Sequence, residues 1–158
     1  MNEFQSFLNA TQRCVTQCKV MLTFEQDKRQ ALLSDDLTRL ESMLQAQQAA
    51  IMKLESLEKQ RMEAQEKAGY HRLSAEEILE LLDEGPDKEA FSAQVGELVQ
   101  TLGEIRYQND RAMEIARANL QVVNAVTPGK EQRETQSTYK PGQYGAKWNT
   151  GSSFEKKV

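Results

Sequence analysis

Residues 88–123, KEAFSAQVGELVQTLGEIRYQNDRAMEIARANLQVV, decide the fold class. Apolar or small residues recur there at steps of four and three: Phe91, Val95, Leu98, Leu102, Ile105, Asn109, Ala112, Ala116, Leu120 and Val123. A half-buried strand would repeat every second residue, so this spacing predicts one long helix that buries a single stripe. Asp87 can cap its start, and Thr127-Pro128-Gly129 ends it, which bounds the helix at about 88–126.

The same periodicity appears upstream. Phe7, Leu8, Thr11, Cys14, Val15, Cys18, Met21 and Leu22 mark one face of a helix over about 4–33, with Asn2 as its cap. Leu37, Leu40, Leu44, Gln47, Ile51 and Leu54 form a coiled-coil seam in a second helix over about 37–68. Ser34-Asp35-Asp36 between them reads as a short reversal that turns the second helix antiparallel to the first. Gly69 suits a left-handed stop, and Ser74-Ala75-Glu76-Glu77 is a capping box opening a short helix over about 75–83. Gly85-Pro86 ends that piece. Glu25/Arg29, Glu55/Lys59 and Glu63/Lys67 place Glu four residues before a cation, the favourable order on a solvated helical face.

The expected architecture is all-α: an elongated antiparallel bundle of three long helices plus one short helix, residues 1–127, followed by a mobile C-terminal tail, 128–158. The tail is rich in Gly, Ser, Thr, Gln and Lys without a sustained period, so it buries too little surface to offset its ordering entropy. Charge divides in the same way. The net charge is −4, and from Thr127 onward six Lys/Arg stand against three Glu, a net +3, leaving −7 for the residues before it. An acidic body argues against generic binding to nucleic acid or anionic membranes. A start without a basic, apolar leader, and the lack of a run of roughly 18 apolar residues, give the expectation of a cytoplasmic protein with no integral membrane segment.

Catalytic chemistry finds no residues to use. Cys14 and Cys18, the only cysteines, lie four apart on the first seam, which suits small core residues; a redox pair would depart from Cys-x-x-Cys spacing, and a zinc site would lack ligands. His71, the single histidine, sits at a connection between helices without a motif-defined partner. Asp35/Asp36 and Glu76/Glu77 fall at helix starts, where the dipole accounts for them. Neither metal nor cofactor is expected.

Two features remain. Near the end of the last helix, Ile115, Val122 and Val126 form a second apolar line beside Ala116, Leu120 and Val123, which fits either a wider core contact or a surface for a partner helix. In the tail, Tyr139, Tyr144, Trp148 and Phe154 alternate with Lys140, Lys147, Lys156 and Lys157, a pattern suited to a segment that orders on a protein partner. A solvated spacer and stacking on single-stranded nucleic acid use the same residue types.

The chain also resembles the FlgN family of flagellar type III export chaperones. The likeness covers most of its length and is carried by Leu32-Leu33-Ser34-Asp35-Asp36-Leu37, by Lys53-Leu54-Glu55-Ser56-Leu57-Glu58-Lys59-Gln60-Arg61, and by Thr138-Tyr139-Lys140-Pro141-Gly142-Gln143 in the tail. The last segment departs from the family pattern by placing Lys140 where an acidic residue is common, and by a shorter interval to Gly142. The resemblance implies a chaperone that binds the C-terminal helices of the hook-associated proteins FlgK and FlgL, keeps them unassembled and presents them to the cytoplasmic domain of the export gate FlhA. It makes Tyr139 the candidate for gate docking, while the second apolar line and its neighbours, Ile115, Leu120, Val122, Val123 and Val126, are the candidates for cargo contact and the tail aromatics Tyr144, Trp148 and Phe154 are further anchors. A competing class is a non-catalytic coiled-coil scaffold or adaptor, in which the same heptads would serve as a homo-oligomer seam.

Overall fold

The computed structural model describes residues 2–126. They form four helices: α1 (Glu3–Leu33), α2 (Leu37–Lys67), α3 (Ala75–Leu81) and α4 (Pro86–Val126). The expected mobility of the tail, and the roles assigned to Tyr139, Tyr144, Trp148 and Phe154, lie outside the described residues.

Local chemistry sets the helix ends. The Asn2 side chain accepts from the Gln5 amide at 2.8 Å and opens α1. At the reversal, the Asp36 amide donates to Ala31 O at 3.1 Å and the Asp35 amide to Leu32 O at 3.3 Å, with Asp35 at φ 54°. This is a Schellman closure with Asp in the left-handed position where Gly is usual. The Asp36 carboxylate then accepts from the Arg39 amide at 3.0 Å and starts α2. The same closure ends α2, where Gly69 stands at φ 93°, its amide donates to Glu66 O at 3.0 Å and the Tyr70 amide donates to Gln65 O at 3.1 Å. Ser74 and Glu77 make both halves of the capping box that opens α3. The start of α4 differs from expectation. It begins at Pro86, and Asp87 sits within the first turn, its carboxylate accepting from Gln5 Nε2 at 2.9 Å instead of capping. Proline's fixed φ and missing N–H suit it to the first helical position.

The tertiary arrangement makes α1 the central element. It packs along both α2 and α4, whereas α2 and α4 do not pack closely on one another. Arg13 to Gln60, Gln17 to Ala50 O and Gln47 to Glu25 pair α1 with an antiparallel α2. Gln5 to Asp87, Gln94 to Leu8 O, Lys19 to Glu97 and Arg29 to Gln108 pair it with a parallel α4. Up-down-up order with short connections dictates these directions.

The core joins the seams: Phe7, Val15, Cys18 and Met21 of α1, Ile51 and Leu54 of α2, Ile78 of α3, and Phe91, Val95, Leu98, Leu102 and Ile105 of α4. Burying each such large side chain is worth about 1.5–3 kcal/mol before chain entropy is subtracted. Two expectations are corrected. Leu37 is 66% exposed, and Leu40 and Leu44 are only half-buried, because the start of α2 lies outside the closely packed stretch. Glu25 is not on a solvated face: it is fully buried and pairs with Lys28 Nζ at 2.8 Å, while Arg29 donates to Gln108 at 3.3 Å. The heptad through Phe7, Thr11, Cys14, Cys18 and Met21 continues to Glu25, so register outweighs polarity at that position.

Gly96 and Gly103 lie inside α4, and a Cβ added at either would meet no atom within 4 Å. Gly96→Ala and Gly103→Ala are each expected to raise stability by about 1 kcal/mol, the helix-propensity difference, as a higher urea midpoint at unchanged m-value.

Candidate functional site

Exposed large apolar side chains occur singly along the bundle, at Val20, Met52, Met62, Leu81, Val99 and Tyr107, but the last third of α4 holds three within five residues, Val122, Val123 and Val126. At 41 residues α4 extends roughly 60 Å, against roughly 45 Å for the 31 residues of α1. Asn119 Nδ2 donates to Leu32 O at 3.4 Å, level with the last turn of α1. Residues 120–126 therefore run past the end of α1 by about 10 Å. No residue of α4 beyond Ala112 is buried.

Of the residues singled out from the sequence, Ile115 and Leu120 are half-buried, Val123 is 39% exposed, and Val122 and Val126 are 64% and 73% exposed. Depth along α4 rather than line divides them: Ile115 of the second line and Leu120 of the seam stay partly covered, whereas Val123 of the seam and Val122 and Val126 of the second line are exposed. Sequence reasoning missed Leu33 and Leu37, which are 59% and 66% exposed at the α1–α2 reversal, at the same end of the bundle. The signal was the Leu32-Leu33 doublet, since adjacent helical positions point about 100° apart and one seam takes only one of them. Exposed apolar side chains gathered at one end of a helical bundle suit contact with the apolar stripe of another helix.

At the opposite end, a buried polar cluster holds the α2–α3 connection. Arg61 is fully buried and donates to both Glu58 oxygens at 2.9 and 2.7 Å and to Gln65 Oε1 at 2.7 Å. Gln65 Nε2 donates onward to Tyr70 O at 2.8 Å and Leu73 O at 2.9 Å. The guanidinium fork satisfies a carboxylate and an amide together, so the cluster orders the connection. His71 lies there on the surface with Nδ1 3.4 Å from Glu66 Oε1.

The cysteines are core residues. Cys14 and Cys18 are 2% and 1% exposed, and the Cys14 thiol lies 3.7 Å from Glu58 Oε2. Burial, with the Glu58 carboxylate adding to it, pushes the Cys14 thiol up to about 12; burial and the neighbouring Cys14 push Cys18 higher still. Both stay protonated at pH 8, and the thiolate is the nucleophile. Iodoacetamide at pH 8 is expected to leave both unmodified in the native chain and to alkylate both in denaturant, as read by intact mass. Among the described residues, no group of three or more His, Cys, Asp or Glu side chains could hold a metal ion, and no helix is long and apolar enough to cross a membrane.

A bundle whose buried polar clusters are spent on structure, and which leaves Val122, Val123 and Val126 of one helix end together with Leu33 and Leu37 in solvent, defines the class: an all-helical binding protein. The FlgN protein family model matches residues 1–144, and the chain belongs to the FlgN family. It is thereby a chaperone of flagellum biogenesis, from a family that binds flagellar export substrates and is not known for enzymes. No curated protein and no solved structure matches the chain.

Proposed function

We propose that this chain is a cytoplasmic chaperone that binds the C-terminal helices of FlgK- and FlgL-type hook-associated proteins, prevents their premature assembly and delivers them to the FlhA export gate. The cargo contact in this reading is Ile115, Leu120, Val122, Val123 and Val126. The observation that carries it is the exposure of Val122 and Val126, 64% and 73%, on a helix end that runs past its neighbour. Valine is a poor choice for a solvated helix end on either propensity or solubility grounds, and a partner's apolar stripe supplies the missing burial. Co-purification from the native cell, with bound proteins identified by mass spectrometry, tests the reading. A hook-associated protein is expected; its consistent absence under conditions where the flagellum is being built overturns the proposal.

Delivery is assigned to the tail through Tyr139, on the likeness of Thr138-Tyr139 to the family's docking segment. A phenol can bury its ring while its hydroxyl keeps a hydrogen bond. Tyr139→Ala is expected to leave cargo binding unchanged and to lower both secretion and affinity for the isolated cytoplasmic domain of FlhA. Should secretion and gate affinity both be retained, Tyr144, Trp148 and Phe154 become the next anchors. The scaffold alternative draws less support, because Phe7, Met21, Phe91 and Ile105 are already buried within a single chain and are not free to form an oligomer seam.

A further inference from the structure

One polar layer divides the bundle into halves that are held differently. Glu25 is fully buried, takes Lys28 Nζ at 2.8 Å on one oxygen, and accepts from Gln47 Nε2 at 2.7 Å on the other. On the side toward α3 lies the continuous apolar core from Met21, Ile51 and Ile105 down to Phe7 and Phe91. On the far side α2 has no buried residue before Gln47; Leu40, Met43 and Leu44 are half-buried, and α4 has none after Ala112. Among the described residues, three buried polar atoms without a hydrogen-bond partner lie at or beyond this layer, Arg29 Nε, Asn109 Oδ1 and Asn124 Oδ1, and one, Gln94 Oε1, lies in the proximal half.

These facts make the two halves unequal in opening cost. Exposing the proximal half would wet a full apolar core. Exposing the distal half wets a partial one and, because Glu25 and Lys28 both sit on α1, hydrates that pair without separating it. The same burial holds the Lys28 ammonium below the ordinary lysine range against the pull of Glu25, so its charged form gains from solvent. A layer of this kind is a natural boundary between cooperative units.

We propose that residues 37–46 of α2 open as a unit about the Glu25–Lys28–Gln47 layer, and that an apolar partner helix enters between this segment and the end of α4. The opening uncovers Leu40, Met43 and Leu44 at the end of the bundle where Leu33, Leu37, Val122 and Val126 are already exposed. A two-walled apolar cleft results, with α1 as its floor. The entry route rests on the cargo reading given above; the opening itself does not.

Amide hydrogen exchange on the full chain tests the opening. The amides of Glu41–Ala50, whose helical acceptors are the carbonyls of residues 37–46, are expected to share one opening equilibrium, at least tenfold more populated than that of Ile51–Gln65, with a step at Ile51. Protection that is equal on both sides of Ile51, or that rises gradually from the helix end as simple fraying would produce, overturns the proposal. Combining Glu25→Leu, Lys28→Met and Gln47→Leu is expected to slow exchange of Glu41–Ala50 at least tenfold and to slow association of a C-terminal helical fragment of a FlgK-type protein by a similar factor. Slowed exchange with unchanged association overturns the entry route. The unmutated chain gives a second check that needs no variant: the bound fragment should protect Glu41–Ala50 at least tenfold, and unaltered protection in a formed complex rejects entry there. If the fragment does not bind at all, the cargo reading fails while the step at Ile51 still decides whether the segment opens.

Discussion

The double substitution Val122→Asp, Val126→Asp is expected to leave the chain folded and helical and to lower its affinity for a FlgK- or FlgL-type partner at least a hundredfold. Both side chains are exposed, at 64% and 73%, and lie past the end of α1, so their replacement should move stability by no more than about 0.5 kcal/mol each. If a partner helix covers them, two apolar contacts worth about 1.5–3 kcal/mol each are lost and two carboxylates are driven against an apolar stripe. Each 1.4 kcal/mol is about tenfold in affinity, which sets the expected size. Circular dichroism and a pull-down on the same preparation read the two arms. Val20→Asp is the control, because Val20 is also exposed, at 41%, but lies in the middle of α1 away from this end. Unchanged binding by the folded double variant removes the pair from the site, and unfolding would assign both to the core.

The largest expected loss of stability is at Phe7. Phe7→Ala should destabilise the bundle by about 3–5 kcal/mol, through lost transfer energy and the cavity left by an incomplete collapse. Its ring is fully buried, with centroids 5.3 Å from Phe91, 6.4 Å from Tyr70 and 5.9 Å from Phe4. It therefore joins α1 to the start of α4 and to the α2–α3 connection at once. Neighbouring groups come from three parts of the chain, so none can move in to fill the space without unseating another. A urea titration at constant m-value measures the change. A loss under about 1 kcal/mol would mean that Phe4 or Tyr70 had replaced the ring.

The fold was legible because α-helical bundles are written in local chemistry. Asn2, Asp36, Gly69 and the Ser74–Glu77 box mark helix ends through bonds to backbone groups within a few residues, and such bonds depend on little else. The heptads name the core for the same reason: Phe7, Met21, Phe91, Leu98 and Ile105 occupy positions that periodicity alone places on one face. Asp87 departs from its expected capping role because two adjacent residues could each start α4, and the fixed φ of Pro86 favoured the earlier one.

The candidate site was legible only as an ambiguity. The second apolar line of α4 could have faced a core or a partner, and spacing is identical for both. What separates them is the length of the neighbour: α1 ends at Leu33, so the seam residue Leu120 stays half-buried while Val122 and Val126 remain in solvent. Glu25 and Arg61 show the converse. Charge and polarity alone suggest solvated helical faces, yet the packing of α1 against α2 and of α2 against its own connection buries both, and each is tolerated because partners meet it there. The sequence by itself thus determined the all-helical class, the helix ends and the main seam, which are local or periodic properties. Only the tertiary structure decided which apolar residues remain in water and which charges leave it, because burial depends on where a neighbouring helix stops.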